Sequence, residues 1–170
     1  MKHLLENWRQ FLNESKNAVP LFKKAKIKPY IDLGLFAEGD EMIFGAVCVI
    51  FDQENGHVLI VKRPKEDRWM PGKWALVGGK LDKGETSLEA VVREVKEETQ
   101  IDIESPKFFY TSQNGEVEYF WTQVVNPKVV IDFEHDDYAW VDPKELTNYD
   151  IVPGLERVVL LAQKELYNNE

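Results

Sequence analysis

Three glutamates lie close together near the middle of the chain, at Glu94, Glu97 and Glu98. The spacing of i, i+3 and i+4 places all three carboxylates on one face of an α-helix. Like charges in this arrangement destabilise a helix by about 0.2–0.5 kcal/mol per pair. Mg²⁺ prefers carboxylate oxygens and usually leaves positions open for water and substrate phosphates. The cluster therefore predicts either a metal site for a phosphate-containing substrate or a solvated acidic helix face.

Two further charged residues accompany this cluster. Glu85 stands just before the predicted helix and can reach the same region. Arg93 is spaced for opposite-charge i, i+4 pairs with Glu89 and Glu97, each worth about 0.2–0.5 kcal/mol. These pairs offset part of the repulsion but do not neutralise the cluster, whereas a hard divalent cation would.

The stretch around these residues resembles the Nudix box of the MutT-like hydrolases. That box reads glycine, five residues, glutamate, seven residues, then Arg-Glu-aliphatic-any-Glu-Glu-any-Gly-aliphatic. Here the matching residues are Gly79, Glu85, the run from Arg93 to Glu98, and Ile101. The chain departs from the box at Gln100, where the family has glycine. Because glycine usually caps the C-terminal end of a helix, we expect Gln100 to strain or reshape that turn without removing a ligand.

The resemblance implies the Nudix α/β/α sandwich with a mixed sheet, and hydrolysis of a nucleoside diphosphate linked to another moiety. It implies Mg²⁺ or Mn²⁺ as the cofactor, held by the three glutamates of the cluster with the Gly78 carbonyl. Glu134 begins a Glu-His…Trp-Val stretch that is similar to one in many relatives. It is either a late metal ligand or an ordinary loop carboxylate.

The catalytic residues that the resemblance implies all lie in the box. They are Glu85, Arg93, Glu94, Glu97 and Glu98. Arg93 in such boxes orients the glutamates and does not touch substrate. The attacking water needs a base, and both Glu85 and Glu94 remain candidates for it.

Other polar and aromatic residues are candidates for contact with substrate. Arg63 lies in the loop before the box, and Lys80 lies inside the box loop, where it is well placed for phosphate. Tyr119 and Trp121 could stack on a base, because nucleotide sites favour aromatic side chains. The alternatives are a solvated loop charge for Arg63 and core packing for the two aromatics. His135 is either a structural loop histidine or a residue that binds metal or moves a proton.

The elements that must position these residues follow a β–α–β pattern. The clearest helix spans residues 86–99, and Thr86 with Glu89 predicts a capping box at its start. Strands are predicted at residues 43–51, 57–63, 74–77, 107–112, 116–125, 129–131 and 138–141, with a second helix at 153–167. Mixed strands with one helix between them and another after them suggest an α/β sheet covered on both faces.

An N-terminal appendage is predicted at residues 1–37, before the main domain at 38–170. Its first 14 residues carry an apolar stripe typical of one amphipathic helix. Residues 15–30 hold five lysines and no acidic residue, which indicates a basic linker. The helix either packs on the domain or docks on another chain.

The composition limits the partners that this protein can have. Its 170 residues include 30 acidic and 21 basic side chains, for a formal charge of −9. Such a surface repels nucleic acids and phosphates unless a basic patch or a bound cation reverses the field. No apolar run is long enough to span a bilayer, the N-terminus lacks a signal-peptide pattern, and the single Cys48 excludes an internal disulfide framework. We therefore expect a cytoplasmic protein with no membrane partner.

The resulting prediction is a Mg²⁺-dependent pyrophosphohydrolase that converts a (deoxy)nucleoside triphosphate to the monophosphate and pyrophosphate. A second reading is cleavage of dinucleoside polyphosphates or RNA 5′ ends, since Tyr119 stands 18 residues past Ile101, as in dinucleoside polyphosphate hydrolases. A third is a Nudix-like module that senses a nucleotide without cleaving it, which the intact glutamates disfavour. The sequence determines neither the base, the sugar and the leaving group nor the oligomeric state, for which a homodimer is one option.

Overall fold

The computed structural model describes residues 43–168, in which one sheet has an α-helix on each face. The strands are β1 Gly45–Asp52, β2 Val58–Lys62, β3 Trp74–Ala75, β4 Val77–Lys80, β5 Lys107–Thr111, β6 Val117–Val124 and β7 Asp137–Val141. The helices are α1 Ser87–Thr99, a 3₁₀ helix Pro143–Asn148 and α2 Leu155–Asn168. The predicted N-terminal helix, the basic linker and the boundary at residue 37 lie outside the described residues.

The sheet is mixed, as predicted, and β1 is at its centre. The strands run in the order β3-β2-β1-β6-β5, with β4 also paired to β1 and β7 to β2. β1 is parallel to β6 along its whole length, and the other strand pairs are antiparallel. On its other edge β1 pairs first with β4 and then, at Phe51, with Val58 of β2.

Alternating side chains of β1 form a core on each face of the sheet. Ala46, Cys48 and Ile50 pack in the core that also contains buried residues of α1. Val49 and Phe51 pack in the core that contains buried residues of α2. The predicted arrangement of helix, sheet and helix is therefore confirmed. None of the helices in residues 43–168 has the length and hydrophobicity needed to cross a membrane.

Both ends of α1 are fixed by local hydrogen bonds. The predicted capping box is present, because the Glu89 carboxylate accepts from the Thr86 amide at 2.8 Å and Thr86 Oγ1 accepts from the Glu89 amide at 3.3 Å. At the other end Gln100 takes the left-handed conformation, with φ 59° and ψ 12°, and its amide donates to the Lys96 carbonyl. Gln100 thus keeps the turn that glycine normally makes, at a strain of about 1 kcal/mol.

Two local predictions were wrong, and one short element was missed. Residues 129–131 form no strand; they run beside the end of α1, where the Val130 amide donates to the Thr99 carbonyl at 2.9 Å. Their apolar pattern reflects packing of Val129 and Ile131 on the α1-side core. The single strand predicted at 74–77 is two short strands, β3 and β4, with different partners. The 3₁₀ helix was not predicted, although Asp142 caps it and Pro143 begins it.

Candidate active site

Two consecutive glycines in β4 allow the site to form. Gly78 has φ 146°, and a Cβ there would stand 2.3 Å from the Ala46 carbonyl oxygen on β1. At Gly79 a Cβ would stand 2.4 Å from Oε1 of Glu94. The first glycine therefore lets β4 approach β1 closely, and the second lets the carboxylate of α1 rest against the strand.

Glu98 is the most deeply buried carboxylate at this place. Its side chain is 9% exposed, and its Oε2 accepts a hydrogen bond from the Gly78 amide at 3.1 Å. Burial raises the pKa of Glu98 to about 8, and the neighbouring charges of Glu94, Asp132 and Glu134 act in the same direction. An ionised Glu98 is therefore unfavourable here without a compensating cation.

Arg93 binds the other glutamates of the box. Its Nε and Nη2 donate to the two carboxylate oxygens of Glu85 at 2.8 and 2.9 Å. Its Nη1 lies 3.0 Å from an oxygen of Glu94 and 3.0 Å from an oxygen of Glu97, while Nη2 also donates to the Lys80 carbonyl. These hydrogen bonds raise the pKa of Arg93, so one permanent cation links three carboxylates to the box loop.

The two candidate bases differ in their surroundings. Both oxygens of Glu85 are engaged by Arg93, and Oε2 also accepts from the Asp82 amide at 2.8 Å. These bonds lower the pKa of Glu85 to about 2. Burial instead raises the pKa of Glu94, against the opposing effect of Arg93. Glu94 is therefore the stronger base of the two as the side chains stand.

The loop before β7 brings Glu134 and His135 to the same place. The Asp132 amide donates to the Glu98 carbonyl at 3.2 Å, which attaches this loop to α1. Oδ1 of Asp132 then accepts from the Glu134 amide at 3.0 Å and lies 3.1 Å from Nδ1 of His135. Asp132 was not among the residues selected from the sequence. Its position two residues before Glu134, typical of an Asx turn, is the signal that could have found it.

The structure brings some of the predicted metal ligands together. Glu94 and Glu98 lie together at the glycine pair, and the charge of Glu134 acts on both. Glu97 has a side chain that is 59% exposed and is held by Arg93. Within residues 43–168, no three His, Cys, Asp or Glu side chains are arranged to hold a metal ion. The donor chemistry nevertheless fits a hard divalent cation, because carboxylate oxygens predominate and one carboxylate is buried.

The predicted substrate contacts are more scattered. Arg63 pairs with Asp67 at 2.5 Å and stacks on Trp69, with 4.9 Å from its guanidinium carbon to the ring centroid. Lys80 is the last residue of β4, and its carbonyl accepts a hydrogen bond from Nη2 of Arg93. Tyr119 and Trp121 belong to the α2-side core, on the sheet face opposite α1, and Trp121 is 5% exposed. For Trp121 the structure therefore favours core packing over contact with substrate.

Comparison with known proteins gave matches over most of this chain. A family model described as NUDIX domain matches residues 42–161. The protein named nucleoside triphosphatase NudI of Klebsiella pneumoniae (strain 342) is 34% identical over 140 residues, covering 71% of this chain and 95% of that protein.

Two solved structures extend this similarity. A MutT protein from Methanosarcina mazei Go1 is 28% identical, with a TM-score of 0.56, and covers 76% of this chain and 98% of its own. An Ap4A hydrolase from C. elegans, solved as a binary complex, has a TM-score of 0.59 at 21% identity, covering 73% of this chain and 98% of its own. At that identity the second similarity shows the fold alone.

Proposed function

We propose that this chain, which belongs to the NUDIX family and is a hydrolase acting on phosphoric anhydride bonds, cleaves nucleoside triphosphates. The products would be the monophosphate and pyrophosphate, and the cofactor would be Mg²⁺ or Mn²⁺. The similarity to a protein named nucleoside triphosphatase supports this substrate class. The cation also explains how a chain with a formal charge of −9 binds an anionic substrate.

The observation that carries this proposal is the buried carboxylate of Glu98 beside Glu94 at the glycine pair. Gly78 donates to one oxygen of Glu98, and burial opposes the charge of the side chain. Burying an ionised carboxylate costs free energy unless a cation or hydrogen bonds compensate the charge. The arrangement therefore supports a binding site for a divalent ion that also contacts phosphate.

The roles follow from these contacts. Glu94, Glu97, Glu98 and the Gly78 carbonyl would hold the ion, with Glu134 as an additional ligand. A divalent cation supplies charge neutralisation on the diphosphate and lowers the pKa of a bound water. Arg93 orients the glutamates through its hydrogen bonds to Glu94 and Glu97.

The base and the phosphate contact are assigned on the same grounds. We assign Glu85 to positioning Arg93, because both of its carboxylate oxygens accept hydrogen bonds from that side chain and these bonds lower its pKa to about 2. Of the two candidates, Glu94, whose pKa burial raises, is the preferred base, a role that needs one of its carboxylate oxygens to remain off the ion. Lys80, which follows Gly79 directly, is the nearest basic residue in sequence for a phosphate oxygen. Arg63, which pairs with Asp67 in the loop before the box, is the second candidate.

The test is product release from a substrate panel with Mg²⁺. The panel contains nucleoside and deoxynucleoside triphosphates, dinucleoside polyphosphates, nucleotide sugars and RNA with a 5′ triphosphate. We expect turnover of triphosphates to monophosphate and pyrophosphate, with a loss of at least about 100-fold in Glu97→Gln. Glu104→Gln, an exposed glutamate beyond α1, is the matched control and should behave as wild type.

Other outcomes would replace the proposal. Turnover confined to dinucleoside polyphosphates or RNA 5′ ends would keep the hydrolase and refute the triphosphate assignment. No turnover, together with tight nucleotide binding that Glu97→Gln leaves unchanged, would identify a sensing module.

A further inference from the structure

Trp69 is an exposed aromatic residue in the loop between β2 and β3. It is 54% exposed, whereas Tyr119 and Trp121, the aromatics considered above for contact with a base, pack in the α2-side core. Single exposed apolar residues are common on protein surfaces, so this exposure alone indicates no function. The contacts that hold the indole ring are what distinguish Trp69.

The ring of Trp69 is fixed by two neighbouring side chains. The guanidinium carbon of Arg63 lies 4.9 Å from the centre of the ring, and Nε of Arg63 donates to the Trp69 carbonyl at 3.0 Å. The Trp69 amide donates to Oδ1 of Asp67 at 2.8 Å, and Oδ2 of Asp67 accepts from Arg63 at 2.5 Å. The indole therefore has one face covered by Arg63 and a set orientation before any ligand binds, which lowers the entropic cost of binding.

The loop that carries Trp69 lies beside the candidate active site. The Asp132 amide donates to the Glu98 carbonyl at 3.2 Å, and the Asp136 amide donates to the Lys62 carbonyl at 2.9 Å. These two amides are four residues apart, so at most about 14 Å of chain separates them. Arg63, on which the ring stacks, follows Lys62 directly. The ring is thus placed next to the glutamates and not among them, as a base must be when the ribose separates it from the phosphates.

The charge of this segment suits an anionic ligand. Residues 62–73 contain five basic and two acidic side chains, a formal charge of 5 − 2 = +3 in a chain of −9. Lys65 and Arg68 are exposed. A local positive patch attracts phosphates that the rest of the surface repels. An aromatic face within a basic segment is the combination that binds bases by stacking while the phosphates lie close to positive charge.

We propose that Trp69 stacks on the base of the bound nucleotide through the indole face opposite Arg63. This inference rests on the proposed function, in which the substrate is a nucleoside triphosphate whose phosphates lie at the glutamates. Every base has a π-face, so stacking on one aromatic side chain is tolerant of base identity. Trp69 thus provides affinity for a nucleobase without selecting strongly among bases.

The test measures binding of two ligands by calorimetric titration with Mg²⁺ present. The α,β-methylene analogue of adenosine triphosphate keeps the base and resists cleavage, and inorganic tripolyphosphate has the phosphates but no base. Trp69→Ala should weaken binding of the analogue about 5- to 150-fold and leave binding of tripolyphosphate unchanged. In steady-state kinetics the same variant should raise KM with little change in kcat.

Two further substitutions separate the aromatic face from the bulk of the side chain. Trp69→Phe keeps an aromatic face and should bind the analogue within about fivefold of wild type. Trp69→Leu keeps apolar bulk without such a face and should bind as weakly as Trp69→Ala. Comparison of Phe with Leu still decides if Trp69→Ala fails to fold. Tyr167→Ala, which removes an exposed aromatic near the end of α2, is the matched control.

The possible outcomes separate this inference from the proposed function. Equal weakening of analogue and tripolyphosphate binding in Trp69→Ala would show that the residue only maintains the loop, and would overturn the inference. Unchanged analogue binding in that variant, while the wild type hydrolyses triphosphates, would refute the inference alone. Analogue binding that depends on Trp69, without turnover of any triphosphate, would support stacking and refute the hydrolysis. A wild type that binds no analogue would refute both.

Discussion

Replacing Glu98 by glutamine should stabilise the metal-free protein, and more so as the pH rises. Burial raises the pKa of Glu98 from 4.5 to about 8 in the folded protein. The folded state therefore favours the protonated carboxyl, and stability is lost as the pH rises from the unfolded pKa through the folded one. By linkage, the penalty is ~1 kcal/mol at pH 5, ~3 kcal/mol at pH 7 and ~4 kcal/mol at pH 8.

Glutamine removes this penalty and keeps the local structure. Its amide oxygen can still accept the hydrogen bond that the Gly78 amide donates to Glu98. The free energy of unfolding of Glu98→Gln should thus exceed that of wild type by an amount that grows by about 2 kcal/mol between pH 5 and pH 7. Activity should be lost in the same variant, because a ligand of the proposed metal is gone.

The assay is urea denaturation with a chelator present, at pH values from 5 to 8. Glu97→Gln is the matched control, because that glutamate precedes Glu98 on the same helix and its side chain is 59% exposed. A difference between wild type and Glu98→Gln that stays constant with pH would refute the reasoning. Repeating the series with saturating Mg²⁺ should reduce or reverse the difference, since the ion stabilises the ionised Glu98.

Three further substitutions test the packing around the box. Gly79→Ala should lower activity at least about 10-fold by displacing Glu94, whose carboxylate is 2.4 Å from the position of the new Cβ; steady-state kinetics with a melting curve for each variant will measure this. Gln100→Gly should raise the free energy of unfolding by about 1 kcal/mol, because glycine takes the left-handed conformation without strain; an unchanged denaturation midpoint would contradict this. Arg93→Lys should destabilise the protein by about 1–2 kcal/mol and reduce activity, because lysine cannot bind both oxygens of Glu85; equal stability and activity would show that charge alone is sufficient.

The acidic helix was predictable because its features are local. The i, i+3 and i+4 spacing of the glutamates follows from helix geometry whatever the rest of the chain does. The capping box of Thr86 and Glu89 is likewise a short-range pattern, and the structure contains it. Gly79 also belongs to this short stretch of sequence, and the structure places it against the carboxylate of Glu94 on α1, the next element.

The remaining features depend on which strands lie next to each other in the sheet. The spacing of residues along the sequence does not determine this order. β6 alternates its side chains, so Phe120 faces α1 and Trp121 faces α2. Trp121 was a candidate for contact with substrate on the sequence alone, and its place in the α2-side core depends on this alternation. His135 lies near Glu98 because the loop before β7 lies against α1. Backbone hydrogen bonds from residues 130 and 132 hold the loop there.

The parallel pairing of β1 with β6 has a consequence for synthesis of the chain. Residues 45–52 pair with residues 117–124, and α1 lies between these segments in the sequence. Contacts between distant segments form late, because the intervening chain must first be made and ordered. As the chain leaves the ribosome, the acidic helix therefore emerges before the central strand has its longest neighbour. A nascent chain stalled before Val117 would carry every box glutamate but neither β6 nor the loop before β7, which is hydrogen-bonded to Glu98.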